Sequence, residues 1–199
     1  MILVALSPII MSTTATSGRA ANLNVYSYDY SGNNALVYTE IQLFEQGQSG
    51  YAYCDGRGNS WTSCPFTSLS NSANYRVDVY AMNMLVDSSN WFSVPNSGTT
   101  YTQDMYANSM VTLTGKAKYS NGVVYPGAYI GIFSWDGGSS SGGSSQWVSE
   151  GQGTANSNGE WSMSVFPTTQ TGEKYAIEIY NPNSGNLVGH NYNVQITSS

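Results

Sequence analysis

Few residues in this chain have chemistry to offer, and their spacing points to none. His190, in Gly189-His-Asn-Tyr192, is the only histidine among 199 residues. It has no serine or cysteine motif to pair with and no second imidazole to share a metal, so it reads as an ordinary strand residue. Glu150, Glu160, Glu173 and Glu178 are candidates for a glycosidase pair, which needs two carboxylates at a defined separation. None belongs to a motif, and each reads as a solvated strand or loop position. Asp55-Gly-Arg-Gly-Asn59 and Asp136-Gly-Gly138 are oxygen-bearing turns without the ligand spacing of a calcium loop. The expectation is a non-enzymatic protein with no catalytic residue, no metal and no cofactor.

Two covalent links come into question. Cys54 and Cys64, the only cysteines, bracket the turn sequence Asp55-Gly56-Arg57-Gly58-Asn59. A hairpin turning there sets the sulfurs face to face across adjacent strands, which predicts a disulfide; two buried free thiols are the other reading. Closing so short a loop adds about 2–3 kcal/mol and implies an oxidising compartment. Lys116 or Lys118, Asn191 or Asn193, and Glu178 have the residue types of an isopeptide link between first and last strands. Val111, Leu113 and Ala117 alternate with both lysines, and Ile177 and Ile179 alternate with Glu178, so those polar groups are expected to face outward.

Trp91, Phe92, Tyr51, Tyr53 and Trp147 offer flat faces suited to stacking on sugar rings. The competing reading packs them in cores or at subunit contacts. Charged residues are 9% of the chain, against about 25% in ordinary soluble domains. Aromatics reach 13%, with 16 tyrosines, which excludes disorder as the cause. Ser, Thr, Asn, Gln, Gly and Tyr must therefore cover the surface. A net charge of -6 with six basic residues leaves no patch for nucleic acid or anionic lipid.

The elements that carry these residues repeat. Tyr75-Arg-Val-Asp-Val-Tyr80 returns as Tyr175-Ala-Ile-Glu-Ile-Tyr180, an offset of 175 − 75 = 100. Trp61 and Phe66 fall on Trp161 and Phe166 at that offset, and Cys54 and Cys64 fall on Thr154 and Ser164. Each Trp follows a Gly/Asn turn, Gly56 to Asn59 or Asn156 to Gly159. Upstream, Ile41-Gln-Leu-Phe44 matches Ile130-Gly-Ile-Phe133 at 130 − 41 = 89. The second copy must carry 100 − 89 = 11 extra residues, and the Gly/Ser run 135–145 supplies them as a surface loop.

Within each copy apolar residues alternate with polar ones, as in Val77, Val79 and Ala81, or Ile41 and Leu43 between Glu40 and Gln42. No stretch beyond residue 21 keeps a helical period. The predicted fold is all-β: two tandem immunoglobulin-like antiparallel β-sandwiches with an extended N-terminal tail. The tail is 1–21, the first sandwich 22–107 and the second 108–199. The second copy runs Val111-Thr-Leu-Thr-Gly115, Pro126-Gly-Ala-Tyr-Ile-Gly-Ile132, Gly153-Thr-Ala-Asn-Ser-Asn-Gly159 and Tyr175-Ala-Ile-Glu-Ile179. It resembles the transthyretin-like, carboxypeptidase-regulatory-type immunoglobulin fold, which implies a spacer or binding module rather than a catalyst.

Ile2-Leu-Val-Ala-Leu-Ser-Pro-Ile-Ile-Met11 is the only continuous apolar run, too short to span a bilayer. Three readings stay open. It is the core of a signal peptide, with Ala15, Ser17 and Ala20 offering a cleavage site but only Met1 where a basic region belongs. It is a donor strand of Ile2, Leu3, Val4, Ala5, Leu6, Ile9, Ile10 and Met11 that completes a neighbour's sheet, with Ile2, Val4, Leu6 and Ile10 on one face. Or it docks on its own sandwich. A polar, Tyr-, Asn- and Ser-rich sandwich behind an apolar tail is similar to the subunits of archaeal thread filaments and bundling pili. That resemblance implies head-to-tail homopolymers built by donor-strand complementation at the cell surface. Thread subunits are heavily N-glycosylated, whereas no Asn here stands two residues before Ser or Thr. The expectation is an extracellular filament subunit; the alternative is a secreted adhesin module whose partners are surface glycans.

Overall fold

Alternating β-branched and aromatic residues between Gly/Asn turns leave no helical face, and in the computed structural model the described residues form strands and turns without a helix. It describes residues 20–36, 39–55, 63–81, 84–94, 100–135 and 147–197. The tail residues 2–11, Trp61 and most of the 135–145 insertion lie outside the described residues. Among the described residues fourteen strands run in order: β1 Ala20–Tyr28, β2 Thr39–Glu45, β3 Tyr51–Asp55, β4 Ser63–Ser70, β5 Asn74–Ala81, β6 Met84–Ser88, β7 Phe92–Ser93, β8 Thr100–Tyr106, β9 Val111–Lys116, β10 Tyr129–Trp135, β11 Val148–Thr154, β12 Glu160–Val165, β13 Lys174–Tyr180 and β14 Leu187–Val194. Ala21 is buried within β1, so this strand includes residues that the sequence assigns to the tail.

The chain divides into two compact units, one of residues 1–81 and 85–107, the other of 82–84 and 108–199. Each holds two sheets. The first unit has a three-stranded sheet, β4-β1-β8, and a five-stranded sheet in which β3-β2-β5-β6 is joined by β7 on β5. The second has β11-β10-β13-β14 and the two-stranded β12-β9.

The two offsets seen in the sequence meet in the strand register. Ile41 lies opposite Val79 and Leu43 opposite Val77. Ile130 lies opposite Ile179 and Ile132 opposite Ile177. Tyr75 and Tyr175 occupy the same place in β5 and β13, and both rings are fully buried. The Tyr175 hydroxyl donates to the Phe166 carbonyl at 2.9 Å. The Tyr75 hydroxyl accepts from the Ser70 amide at 2.8 Å. Each tyrosine thus ties its fifth strand to the backbone just upstream, a satisfied polar tip on an apolar body. The Asn156–Gly159 turn forms as expected: the Asn156 side-chain oxygen accepts from the amides of Asn158 and Glu160, both at 2.9 Å, and Gly159 takes a positive φ of 73°.

Four expectations are corrected. First, the offset of one hundred fails along β4 and β12. Cys64 is buried, whereas Ser164 faces solvent and Trp161, Met163 and Val165 face the core. Ile41 pairs with Cys54 while Ile130 pairs with Gly153, and the residues equivalent to the cysteines are therefore Gly153 and Met163, not Thr154 and Ser164. A single-residue slip reverses the facing of every side chain in a strand. Second, Cys54 and Cys64 are bonded, but β3 and β4 belong to different sheets. The bridge joins the two sheets of the first unit rather than neighbouring strands of one hairpin.

Third, the pairing is not wholly antiparallel, because β1 pairs with β8 in parallel from Asn22 opposite Thr100 to Tyr28 opposite Tyr106. Fourth, β2 is buried on both faces: Glu40 and Gln42 are as enclosed as Ile41 and Leu43. The Gln42 amide donates to Glu40 at 2.7 Å, and buried Asp78 on β5 accepts from Arg76 at 2.9 Å and from the Ser88 hydroxyl at 2.6 Å. Polar groups buried this way hold their place because they are paired. Among the described residues no helix is long and apolar enough to cross a membrane.

Candidate functional site: an open core edge and two aromatic faces

The two units differ most at their first strands. In β1 the inward row Ala21, Leu23, Val25 and Ser27 is 0–2% exposed, because β4 flanks it on one side and β8 on the other. In β9 the inward row Val111, Leu113 and Gly115 is only half-buried. β12 flanks it on one side, and among the described residues no strand pairs with its other edge. The opening reaches into the core. Val77 and Val79 are 0% and 1% exposed, whereas Ile177 and Ile179, at the same places in β13, are only partly buried, as are Trp161 and Met163. The enclosed cluster behind this edge is Ala117, Tyr125, Ala128, Ile130 and Ala155, while Ile132, Val165, Phe166, Tyr175 and Ala176 are buried elsewhere in the unit. The Trp161 ring lies across Gly115 and leaves no room there for a Cβ.

A cleft of about 660 Å³ lies beside this edge, lined by Gly115, Lys116, Thr154, Asn156, Glu160 and Trp161 among others. Its one carboxylate, Glu160, is held below the usual carboxylate range by the Asn156 amide and then by the Lys116 ammonium 3.6 Å away. No second carboxylate lines the cleft to share acid–base work with it. Among the described residues no group of three His, Cys, Asp or Glu side chains is placed to hold a metal ion. Asp29 is brought down to about 2 by hydrogen bonds from Ser31 and Asn34, a turn that stabilises its own charge.

The outer face of the larger sheet in each unit carries aromatic rings around one cation. In the first unit Tyr53 packs edge-on to Tyr51 at 6.3 Å and Tyr51 against Phe44 at 5.2 Å. The Arg76 guanidinium lies 4.7 Å over Phe44 and 5.5 Å over Trp91. In the second unit Trp147 stands between Trp135 at 5.3 Å and Tyr192 at 5.9 Å, and His190 stacks on Tyr192 at 4.3 Å. The Lys174 ammonium is 5.7 Å from the Trp135 ring and 5.6 Å from Trp147. Glu178 accepts from both the Tyr180 and Tyr192 hydroxyls. That hydrogen bond and partial burial push Tyr180 up to about 12.

Of the five residues singled out for sugar stacking, the structure brings Tyr51, Tyr53 and Trp91 into one cluster and places Trp147 in another. Phe92 belongs to neither: it lies opposite Tyr75 and packs on Tyr101 at 5.7 Å, on the core side. Sequence reading missed Phe44, Arg76, Trp135, Lys174 and Tyr192. Strand parity held the signal, since Phe133 and Trp135 alternate with inward Ile132 and Ser134, as Lys174 and Glu178 do with Tyr175, Ile177 and Ile179. His190 thus lies on a strand, stacked on the ring of Tyr192. Of the isopeptide candidates, Lys116 faces Glu160 on the two-stranded sheet, while Glu178 and Asn191 lie on the other sheet.

No protein-family profile matches the chain, and no curated protein matches it. Solved structures overlap it loosely. The shaft pilin SpaA from Lactobacillus rhamnosus GG is 13% identical, with 91% of this chain and 94% of that one covered and a TM-score of 0.37. A streptococcal ancillary pilin is 13% identical over 92% of this chain and 62% of that one, also at 0.37. The Bacillus anthracis TIE protein is 12% identical over 90% of this chain and 32% of that one, again at 0.37. Overlaps this loose carry no argument about function, and the all-β class rests on the chain's own strands.

Proposed function

We propose that the chain is a non-catalytic structural subunit of an extracellular filament, in which residues 2–11 join a neighbouring copy as an added strand. One observation carries this reading: a continuous apolar run, residues 2–11, precedes a pair of sandwiches of which the second leaves the inward row of β9 and the side chains packed beside it only partly buried. Each buried Ile, Val or Leu gains about 1.5–3 kcal/mol over the same side chain left in water, so both halves of that arrangement favour a partner. Strand addition supplies main-chain hydrogen bonds, and alternate side chains set specificity. The inter-sheet disulfide fits an oxidising exterior. The weakly charged surface leaves little repulsion between packed copies.

Electron microscopy of purified full-length protein and of a variant lacking residues 2–11 tests this. Filaments are expected only from the full chain, while the truncated variant keeps its β-type circular dichroism and stays monomeric. Polymers formed without the tail would overturn the proposal. The aromatic clusters around Arg76 and Lys174 favour a second reading, a surface adhesin that stacks on sugar rings. Glycan-array binding by dispersed, monomeric protein is the outcome that would prefer it.

A further inference from the structure

The first unit has a strand with no counterpart among the described residues of the second. Its seventh full-length strand, β8, lies parallel to β1 over seven residue pairs and sets Tyr101, Gln103 and Met105 beside Leu23, Val25 and Ser27. The equivalences Cys54 with Gly153 and Cys64 with Met163 fix the corresponding row. Val25 pairs with Cys64 and Leu113 pairs with Met163, so Val25 corresponds to Leu113, Leu23 to Val111 and Ser27 to Gly115. Those three are the half-buried residues of β9, and the edge that β8 covers in the first unit is the unpaired edge among the described residues of the second.

We infer that this β9 edge is the acceptor, and that its seventh strand is residues 1–7 of a second copy, running parallel to Val111–Lys116. The inference rests on the filament reading above and names the groove and polarity it requires. Ile2, Val4 and Leu6 recur every second residue, as Tyr101, Gln103 and Met105 do, and fill the row beside Val111, Leu113 and Gly115. Leu6 then falls beside Gly115, against the edge of the partly buried Trp161 ring that lies across it. Pro8, which has no N–H to give a ladder, falls just past the seven paired positions. The tail has no comparable place in the sheet it leads into, because β1 is already flanked by β4 and β8. A donor at the N-terminus and an acceptor in the C-terminal unit make each contact head to tail, and such heterologous contacts grow into open fibres unless the rotation closes a ring.

The test mixes two full-length variants, Ala5→Cys and Thr114→Cys, both outward-facing in the paired ladder. Cys54 and Cys64 are bonded to each other, so each new thiol is alone on its chain. Assembly under mild oxidation, followed by non-reducing electrophoresis and peptide mapping, is expected to give an Ala5→Cys to Thr114→Cys link between different chains. Hydrogen exchange at amides 111–116 is expected to slow at least tenfold on going from dispersed chains to filaments. Filaments that form without that link and without that protection overturn the acceptor assignment and leave the filament function standing. A doubly substituted chain that links only to itself while remaining monomeric overturns the acceptor in favour of self-docking. Absence of any polymer from the wild-type chain overturns the filament function itself, and the acceptor with it.

Discussion

Met163 lies over Gly153 in the second unit at the place where Cys64 is bonded to Cys54 in the first. A Cβ on Gly153 would stand 2.7 Å from the Met163 terminal methyl. The two pairs have the same sequence separation, 64 − 54 = 10 and 163 − 153 = 10, and the same partners, Ile41 and Ile130 on one side and Val25 and Leu113 on the other. One contact between sheets is thus made covalently in one copy and by a flexible thioether over a glycine in the other.

That equivalence makes a design prediction. The double variant Gly153→Cys/Met163→Cys is expected to close a second bridge and raise the stability of the second unit by about 2–3 kcal/mol. Urea unfolding with and without reductant measures the gain. A pair that stays reduced under air, or a bridge that gives no rise in midpoint, would show that the two sites differ in geometry.

The native bridge has its own signature. Cys54→Ser/Cys64→Ser is expected to cost the first unit about 2–3 kcal/mol, since a loop of separation 10 is no longer closed in the unfolded chain. The second unit is expected to unfold at an unchanged denaturant concentration. Tryptophan fluorescence separates the two, because Trp91 lies in one unit and Trp135, Trp147 and Trp161 in the other.

Alkali is expected to destabilise both units. Burial pushes Tyr75 up to about 12 and Tyr175 further up, from the ordinary tyrosine value of about 10. Between those values the unfolded chain gives up protons that the folded chain keeps. The stability these tyrosines contribute is therefore complete below about pH 10 and declines as pH rises toward 12. Urea midpoints at pH 8, 10 and 11 measure the slope. Tyr175→Phe, which loses the bond to the Phe166 carbonyl, is expected to cost about 1 kcal/mol at pH 8 and to flatten the alkaline decline.

The aromatic faces are expected to be dispensable for assembly. Trp147→Ala removes the ring shared by Trp135, Tyr192 and Lys174, and filaments viewed by electron microscopy are expected to be unchanged in yield. Loss of filaments in this variant would move the subunit contact from the β9 edge to the outer face of the four-stranded sheet.

Some of this protein is legible in its sequence. Alternation at Ile41 and Leu43, at Val77 and Val79, and at Ile130, Ile132, Ile177 and Ile179 names the paired strands, because facing along a strand is local and repeats every two residues. The offsets of 89 and 100 predict which strands correspond. The chain's few and scattered titratable groups give only the expectation of a non-catalytic protein.

Tertiary structure decided what alternation cannot carry. Register between strands depends on partners far away in sequence, so the slip that replaces Thr154 and Ser164 by Gly153 and Met163 is visible only once β3 and β4 are seen in separate sheets. Trp91 and Phe92 are neighbours in the chain, yet one faces solvent under Arg76 and the other packs on Tyr101. The parallel partner of β1 and the edge of β9 that stays unpaired among the described residues likewise leave no local trace. Hydrogen bonds between strands use the backbone, which is the same for every residue, so the sequence names the strands and only the folded sheets show which edge is left without a neighbour.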